Sequence, residues 1–286
     1  MSSLADLVRL GADRLAAAGV GSPRADAEQL LAHATGMEVG DLRRSALLGE
    51  HAADSAVTAY RGLLAQREGR VPLQHLTGEA AFHRVTLRVG PGVFVPRPET
   101  EVLVELALED LRAAGPAPVV VDLCTGSGAV ALAVATAWPP AQVHAVELSE
   151  EAHAWAAVNV AAHGPGVDLR LGDATSAFPE LEGQVDVVTC NPPYIPAWAV
   201  PVDPEVRDHD PGLALYGGGE DGLEMPLALA GRAARLLRPG GVLLMEHADT
   251  QGQTLPQRLR EAGAWSEVQD HPDLTGRPRV TRAVRA

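Results

Sequence analysis

The sequence predicts an α/β protein in which a mostly parallel sheet follows a small helical domain. From residue 98 onwards, continuous apolar strands alternate with helices, which is typical of a parallel sheet covered on both faces. Residues 1–71 show only the apolar spacing of helices, whereas residues 72–97 alternate apolar and polar side chains between prolines and glycines. We therefore expect a helical domain at 1–71, a β-hairpin linker at 72–97 and an α/β domain at 98–286.

The helical domain is predicted from the spacing of its apolar residues and from signals at its helix ends. A second helix begins with Ser22 as N-cap and Pro23 in the first turn, and it ends at Gly36. A third helix is expected at about residues 54–69. The first helix has one apolar face, which comprises Leu4, Leu7, Val8 and Leu15.

The α/β domain is predicted from short apolar runs and the helices between them. Strands are expected at residues 119–124, 142–149, 167–171 and 185–190, and helices at 98–114, 128–138 and 150–163. A long loop at 191–222 leads to a helix and the strand "GGVLLMEHA". A further helix and two weaker strands, "WSEVQ" and "RVTRAVR", close the chain.

The charge distribution limits the classes of partner. The net charge of −14 falls wholly on residues 91–286, because the first 90 residues carry equal numbers of arginines and acidic residues and lysine is absent. An acidic domain without a basic stripe argues against affinity gained by neutralising phosphates, so no direct nucleic-acid partner is expected.

Composition also indicates the compartment. The first helix carries charged side chains, which exclude the uninterrupted apolar region of a signal peptide. No segment reaches the run of about 20 apolar residues that a membrane span needs. Cys124 and Cys190 fit a reducing compartment, and no metal-ligand constellation is visible. We therefore expect a cytoplasmic protein with no membrane partner and no metal site.

A glycine-rich turn follows the first strand of the α/β domain. In "VVVDLCTGSGAVALAVA", Gly126 and Gly128 let a ligand approach the backbone where a helix begins. Asp122, Glu147 and Asp173 lie at three successive strand ends, which meet at one crevice in a parallel sheet. An acid there can hold ribose hydroxyls, so the group indicates an adenosine-containing ligand. The turn also satisfies the permissive dinucleotide pattern, which leaves an NAD-dependent oxidoreductase as an alternative.

The segment "TCNPPYIPAW" follows the fourth strand and faces the same crevice. The Asn191 side-chain oxygen and the Pro192 carbonyl can accept the two N–H bonds of a planar nitrogen group, because proline fixes φ and aims the carbonyl. Tyr194 can pack against the flat group. Such a clamp orients a poorly nucleophilic amide nitrogen towards a reactive methyl that the cofactor supplies.

Asp-Leu-x-Thr-Gly-Ser-Gly followed by Asn-Pro-Pro-Tyr resembles the S-adenosylmethionine-dependent methyltransferases that act on planar nitrogen. More of the chain resembles one family, the glutamine-amide methyltransferases of bacterial peptide-chain release factors (HemK-like). The matching segments are "EGRVPLQHLTGEAAFHRVTLRV", "VFVPRPETE", "DLCTGSGAVALA", "NPPYIP", "DPGLALYGGGEDGL", "LRPGGVLLMEH" and "GRPRV".

The resemblance implies a Rossmann-like domain with a seven-stranded, mostly parallel sheet, S-adenosylmethionine as cofactor, and the glutamine of a Gly-Gly-Gln loop as substrate. Asn191, Pro192 and Tyr194 are the implied catalytic residues. The implied substrate-binding residues are Asn191, Pro192, Pro193, Tyr194 and Arg97. The implied cofactor-binding residues are Asp122, Cys124, Thr125, Gly126, Ser127, Gly128, Glu147, Asp173, Ala174 and Asn191.

Two cofactor positions depart from the family pattern. Cys124 stands where relatives often have glycine, and Ala174 stands where an aromatic residue occurs. We expect adenine stacking to be weaker or to come from elsewhere, with Phe178 as a candidate. Arg97 either anchors the cofactor side of the crevice or contacts the substrate loop, and Glu246 is expected to be a structural charge.

Other substrates and classes remain alternatives at this point. A glutamine methyltransferase for a ribosomal protein is the nearest, and a methyltransferase for an exocyclic amine of DNA or rRNA is more distant. An oxidoreductase leaves the Asn-Pro-Pro-Tyr segment unexplained, and a non-catalytic binding module leaves the clamp without a purpose. We expect a monomer whose helical domain recognises the body of the release factor.

Overall fold

The chain divides into two units in a computed structural model, which describes residues 2–286. The smaller unit contains the chain up to Glu79 together with Pro201–His209, and the larger unit contains Ala80–Val200 and Asp210–Ala286. The segment 201–209 therefore belongs to the helical unit, although both of its flanks belong to the larger one.

The elements in chain order are eleven α-helices and nine strands within residues 2–286. The helices are α1 (Leu4–Ala17), α2 (Pro23–Thr35), α3 (Val39–Leu47), α4 (Asp54–Glu68), α5 (Leu73–Thr77), α6 (Glu101–Ala113), α7 (Ala129–Ala137), α8 (Glu150–His163), α9 (Pro204–His209), α10 (Glu224–Leu236) and α11 (Thr254–Glu261). The strands are β1 (Glu79–Phe82), β2 (Val85–Arg88), β3 (Val119–Leu123), β4 (Gln142–Glu147), β5 (Asp168–Leu171), β6 (Val185–Cys190), β7 (Leu237–Glu246), β8 (Trp265–Pro272) and β9 (Pro278–Arg285).

Helices α1 to α5 and α9 form the helical unit. The apolar face predicted for α1 is confirmed, because all four of its residues are buried. Helix α2 begins with Pro23 in its first turn and ends at Gly36 in the left-handed conformation, as predicted. Helix α3 was missed in the sequence prediction, because it is only nine residues long and buries only Leu42 fully.

A cluster of charged side chains holds α9 in the helical unit. The buried Arg67 guanidinium lies 2.7 Å from a carboxylate oxygen of Asp26 and 2.7 Å from one of Glu205. Arg70 contacts the other Glu205 oxygen at 2.5 Å. Burial alone would raise the pKa of Glu205, but hydrogen bonds from Arg70, Asp203 and Arg67 outweigh it and lower the pKa.

The larger unit is built on a seven-stranded sheet with the order β5-β4-β3-β6-β7-β9-β8. Strands β3 to β7 pair in parallel, whereas β9 pairs antiparallel with β7 and β8. The predicted seven-stranded, mostly parallel sheet is therefore confirmed. Its two faces bury separate apolar clusters, one packed with α6, α7 and α8 and the other with α10 and α11.

The predicted hairpin is present as β1 and β2, which form a two-stranded sheet. Residues 73–77, expected to be extended, are helical in α5, so that part of the prediction is wrong. The helix starts after Pro72 and stops at Gly78 in the left-handed conformation, and these two residues bracket a single turn. Within residues 2–286, no helix has the length and apolar character needed to cross a membrane.

Replacing Glu205 should loosen the segment that carries it. Glu205→Gln leaves Arg67 buried with one acid instead of two, and breaking a buried ion pair costs about 3 kcal/mol. We expect faster hydrogen exchange across residues 201–209, measured by mass spectrometry. The matched control Glu50→Gln changes an exposed glutamate and should leave that exchange unchanged. Equal exchange in both variants would contradict an anchoring role.

Candidate active site

The candidate site lies at the carboxyl ends of β3, β4 and β6. Leu123 pairs with Val146 on one side and with Cys190 on the other, so the three strands end at one level. Strand β3 sits where the chain order of the sheet reverses, which is where parallel sheets open a crevice. The turn after β3, Glu147 and Asn191 therefore emerge together, as the sequence predicted.

The glycine-rich turn presents open backbone at this edge. Gly126 and Gly128 have φ of 58° and 85°, a left-handed region that favours glycine. A Cβ atom built on Gly126 would meet no other atom within 4 Å, so the space beside it is free for a ligand. Thr125 is tied to the next strand by its backbone N–H, which donates to the Val146 carbonyl.

The Glu147 carboxylate links the turn to β4. Its Oε2 accepts a 2.8 Å hydrogen bond from the Gly126 backbone N–H, and its Oε1 accepts a 2.8 Å bond from that of Ser149. Each oxygen keeps a second lone pair, so the carboxylate can still accept hydroxyl hydrogens. Its contact with a ribose stays a prediction.

Asp122 lies beneath the turn with both carboxylate oxygens occupied. The Thr125 hydroxyl donates to Oδ2 at 2.6 Å, and the Thr189 hydroxyl donates to Oδ1 at 2.7 Å. Burial raises the pKa of Asp122 to about 6, although both threonine hydroxyls act in the opposite direction. Asp122 thus supports the turn through Thr125, while a direct contact with a cofactor stays a prediction. Thr189 was missed, and its only signal was a polar residue in the apolar run "VDVVTC".

Cys124 adopts a φ of 62°, which lies in the left-handed region that favours glycine. Ser127 is buried, and its carbonyl accepts a 2.9 Å hydrogen bond from the side-chain amide of Asn159. The backbone on both sides of Gly126 is therefore held from within the protein.

The residues after β5 have different environments. Asp173 is exposed and accepts hydrogen bonds from both the backbone N–H and the hydroxyl of Thr175, whereas Ala174 is buried. Phe178 was the candidate for adenine stacking, and that expectation is wrong. Its ring is 1% exposed, with the Arg170 guanidinium over it at 4.5 Å and His144 at its edge.

The Asn-Pro-Pro-Tyr segment follows β6, and its two polar side chains bond to two different partners. The Asn191 side-chain nitrogen donates to the Thr100 hydroxyl oxygen at 3.3 Å, which turns its oxygen away from Thr100. Pro192 is buried and Pro193 half-buried. The Tyr194 hydroxyl donates to Glu246 Oε1 at 3.2 Å, and burial raises the pKa of Tyr194.

A second segment, residues 215–222, is bonded to the clamp and is called the brace here. The backbone N–H groups of Tyr194 and Ile195 donate to the Leu215 carbonyl, and that of Gly217 donates to the Ile195 carbonyl. A Cβ on Gly217 would lie 2.1 Å from the Gly222 carbonyl oxygen and 2.5 Å from that of Pro193, so only glycine fits. The sequence shows "YGGGEDG" but not what these glycines pack against.

Gln251 completes the brace and was also missed. Its side-chain nitrogen donates to the carbonyls of Tyr194 at 2.9 Å and Asp221 at 2.8 Å. Its side-chain oxygen accepts a hydrogen bond from the Ala248 backbone N–H at 2.9 Å. A glutamine in the stretch "ADTQGQ" carries no sequence signal for this role.

Arg97 lies in the larger unit, at the start of the segment that leads into α6. Its guanidinium donates to Asp210 at 2.7 Å and stacks over the Phe94 ring at 5.1 Å. The side chain remains 27% exposed, so it is held in place and still partly open to a ligand. Within residues 2–286, no group of three or more histidine, cysteine or acidic side chains could hold a metal ion.

The fold and the site together define a Rossmann-like methyltransferase, and a methyltransferase-domain model matches residues 120–201. A model of the PrmC N-terminal domain matches residues 6–78. Release factor glutamine methyltransferase of Streptomyces coelicolor is 51% identical over 100% of this chain and 99% of its own. The enzyme of that name from Bifidobacterium longum is 44% identical over 98% and 99%. The chain belongs to the release factor glutamine methyltransferase family.

One relative has a different printed activity. The 4-amino-L-phenylalanine/4-methylamino-L-phenylalanine methyltransferase of Streptomyces pristinaespiralis is 40% identical over 94% of this chain and 91% of its own. Its name describes methylation of an aromatic amine on a free amino acid.

The raised pKa of Asp122 predicts a pH dependence of stability. Because the pKa rises from 3.8 to about 6 on folding, the folded protein holds a proton that the unfolded chain has lost, so stability falls as pH rises through this window. Asp122→Asn should remove that slope. Urea unfolding followed by tryptophan fluorescence reports on the larger unit, because all four tryptophans lie in it. An unchanged slope would contradict the assignment.

Filling the space between the clamp and its brace should be costly. Gly217→Ala places a methyl group against two backbone carbonyls, and such overpacking destabilises by about 2 kcal/mol. The matched control is Gly231→Ala in α10, where the added methyl meets no atom within 4 Å and should stabilise by up to about 1 kcal/mol. Urea unfolding compares the two, and equal stabilities would refute the close-packing argument.

Proposed function

We propose that this protein transfers a methyl group from S-adenosylmethionine to the side-chain amide nitrogen of the glutamine in the Gly-Gly-Gln motif of peptide-chain release factors. The observation that carries the proposal is the pair of acceptors at the end of β6. The Asn191 side-chain nitrogen is bonded to Thr100, so its oxygen faces the other way, and Pro192, the next residue, supplies a second carbonyl acceptor. Two adjacent acceptors suit the two N–H bonds of one primary amide.

The residues of the clamp would do three things for the substrate. Asn191 and Pro192 accept both amide hydrogens and so fix the plane of the group, with its lone pair directed out of that plane. The Tyr194 ring packs against the flat amide. Because the Tyr194 hydroxyl donates to Glu246 and burial raises its pKa, it stays neutral and shapes the pocket rather than acting as a base.

The residues of the turn fit the cofactor. The open space beside Gly126 admits a ligand to the backbone, and the free lone pairs of Glu147 suit ribose hydroxyls. Cys124, Thr125, Ser127, Gly128, Asp173, Ala174 and Asn191 would line the same crevice. When bound, S-adenosylmethionine supplies a methyl group already activated for transfer to a weak nucleophile.

Exposed apolar side chains after the clamp support a protein substrate. Trp198 is 75% exposed and Val200 is 68% exposed, so most of each side chain packs against nothing in the fold. The Trp198 indole is not loose, because its N–H donates to the Glu220 carbonyl at 2.9 Å, within the brace. A rigid, exposed indole suits a protein surface better than a free amino acid.

The helical unit would recognise the body of the release factor, since a single glutamine side chain offers little area for binding. The same proposal includes a monomeric state, a cytoplasmic location and domain limits at 1–71, 72–97 and 98–286. Arg97, which is charged and 27% exposed, would contact the substrate loop.

Mass spectrometry of a release factor incubated with the protein and S-adenosylmethionine tests the proposal. We expect one added methyl on the Gly-Gly-Gln glutamine, and a rate at least about 100-fold lower for Asn191→Ala, because one oriented acceptor is lost. S-adenosylhomocysteine should raise the melting temperature of both proteins and NAD should not, which shows that the variant is folded and binds cofactor.

Alternative substrates belong in the same assay. A ribosomal protein, an RNA fragment and free 4-amino-L-phenylalanine are offered in parallel with the release factor. Methylation of one of these in place of the release factor would discard the proposed substrate and keep the methyltransferase. Stabilisation by NAD alone would discard both.

A further inference from the structure

Thr100 ends a single 3₁₀ turn, Pro98–Thr100, that continues directly into α6, and its φ of −68° and ψ of −17° are helical. Its hydroxyl makes no capping bond to the helix, and the hydroxyl oxygen accepts the side-chain N–H of Asn191 at 3.3 Å. Thr100 is only 4% exposed, so water contributes little to its bonding. Its hydroxyl serves the clamp rather than the helix.

A buried carboxylate lies close to both Thr100 and Tyr194. Glu246 ends β7 and is 3% exposed, and its Oε1 accepts the Tyr194 hydroxyl at 3.2 Å. Its Oε2 has no hydrogen-bond partner within residues 2–286. Burial raises the pKa of Glu246, while the Thr100 hydroxyl, Arg279 and Tyr194 act in the opposite direction.

The bond to Thr100 fixes the polarity of the Asn191 amide. A side-chain amide has its N–H donors on the nitrogen and only an acceptor on the oxygen, and the nitrogen is the atom that faces the Thr100 hydroxyl. The Thr100 oxygen acts as the acceptor of this bond. The Asn191 oxygen must therefore point away from Thr100.

We propose that Thr100 is a positioning residue that fixes the orientation of the Asn191 side-chain amide. This inference rests on the proposed function for its consequence, because the orientation matters for presenting an acceptor to the substrate amide. If the Asn191 side-chain amide were rotated by about 180°, its N–H groups would face the N–H bonds of the substrate amide, and no hydrogen bond would form. The segment "PRPETE" thus acts on the substrate through Asn191.

Nuclear magnetic resonance tests the orientation without any substrate. The chain contains two asparagines, Asn159 and Asn191, so selective ¹⁵N-asparagine labelling gives two side-chain amide signals. Asn159 is the internal control, because it is fully buried and bonded to the Arg88 backbone and the Ser127 carbonyl. The spectrum of Asn191→Ala assigns the two signals.

The variants compared are Thr100→Val, which is isosteric and lacks the hydroxyl, and Thr100→Ser, which keeps it. In Thr100→Val, we expect the Asn191 amide protons to shift and to exchange with water at least about tenfold faster, while those of Asn159 stay unchanged. Thr100→Ser should restore the wild-type Asn191 signal. Thr100→Ala serves as a second hydroxyl-free variant if the valine variant does not fold.

Kinetics give the second readout. For methylation of the release factor, kcat of Thr100→Val should fall by about 10- to 100-fold, with KM and the Kd for S-adenosylhomocysteine little changed, because the acceptor is misplaced and neither binding surface is lost. Thr100→Ser should recover most of kcat. An equal loss in the serine and valine variants would point to packing and overturn the proposal.

The two proposals fail in different ways. Wild-type protein that does not methylate the release factor refutes the proposed substrate, and the Asn191 amide signals still decide the role of Thr100. Active wild-type protein with an Asn191 signal and kcat unaltered by Thr100→Val refutes the positioning role and leaves the proposed function intact.

Discussion

The parallel pairing of β3 with β4 and β6 is the constraint on which the site depends. The register that sets Leu123 beside Val146 and Cys190 ends three strands at one level. The turn, Glu147 and the clamp then leave the sheet side by side. A shift of one residue in either pairing would turn every side chain of that strand to the opposite face and separate these groups.

Buried polar groups keep that edge of the sheet rigid. The Asp122 carboxylate accepts two threonine hydroxyls beneath the turn, and Glu246 accepts the tyrosine hydroxyl behind the clamp. Groups of this kind are costly to bury unless they find partners, and once partnered they permit few alternative arrangements. The site is therefore held by hydrogen bonds that never touch the substrate.

The path of the chain after the clamp adds a second restraint. The segment 201–209 is part of the helical unit, where Glu205 meets two arginines, and the chain then returns to form the brace. Both ends of the exposed stretch around Trp198 are thus anchored. The Asn-Pro-Pro-Tyr segment is thus followed directly by a stretch that offers apolar surface.

The sequence by itself determined the sheet, the helices that cover it, and the turn, acid and clamp at its edge, because apolar periodicity and glycine or proline signals are local. Each strand of the large sheet begins and ends within about three residues of its predicted limits. Local patterns did not reveal the helices α3 and α5, since nine and five residues are short stretches for a helical period to stand out.

Tertiary structure alone decided which polar side chains meet. Thr100 lies within the segment "VFVPRPETE", but neither that segment nor the residues around Thr189 and Gln251 show that these three side chains bond to Asn191, Asp122 and the Tyr194 carbonyl, respectively. Phe178 looked available for stacking until packing buried its ring. Hydrogen bonds between distant residues depend on the register and layering of the whole sheet, and that information is not present in any one segment.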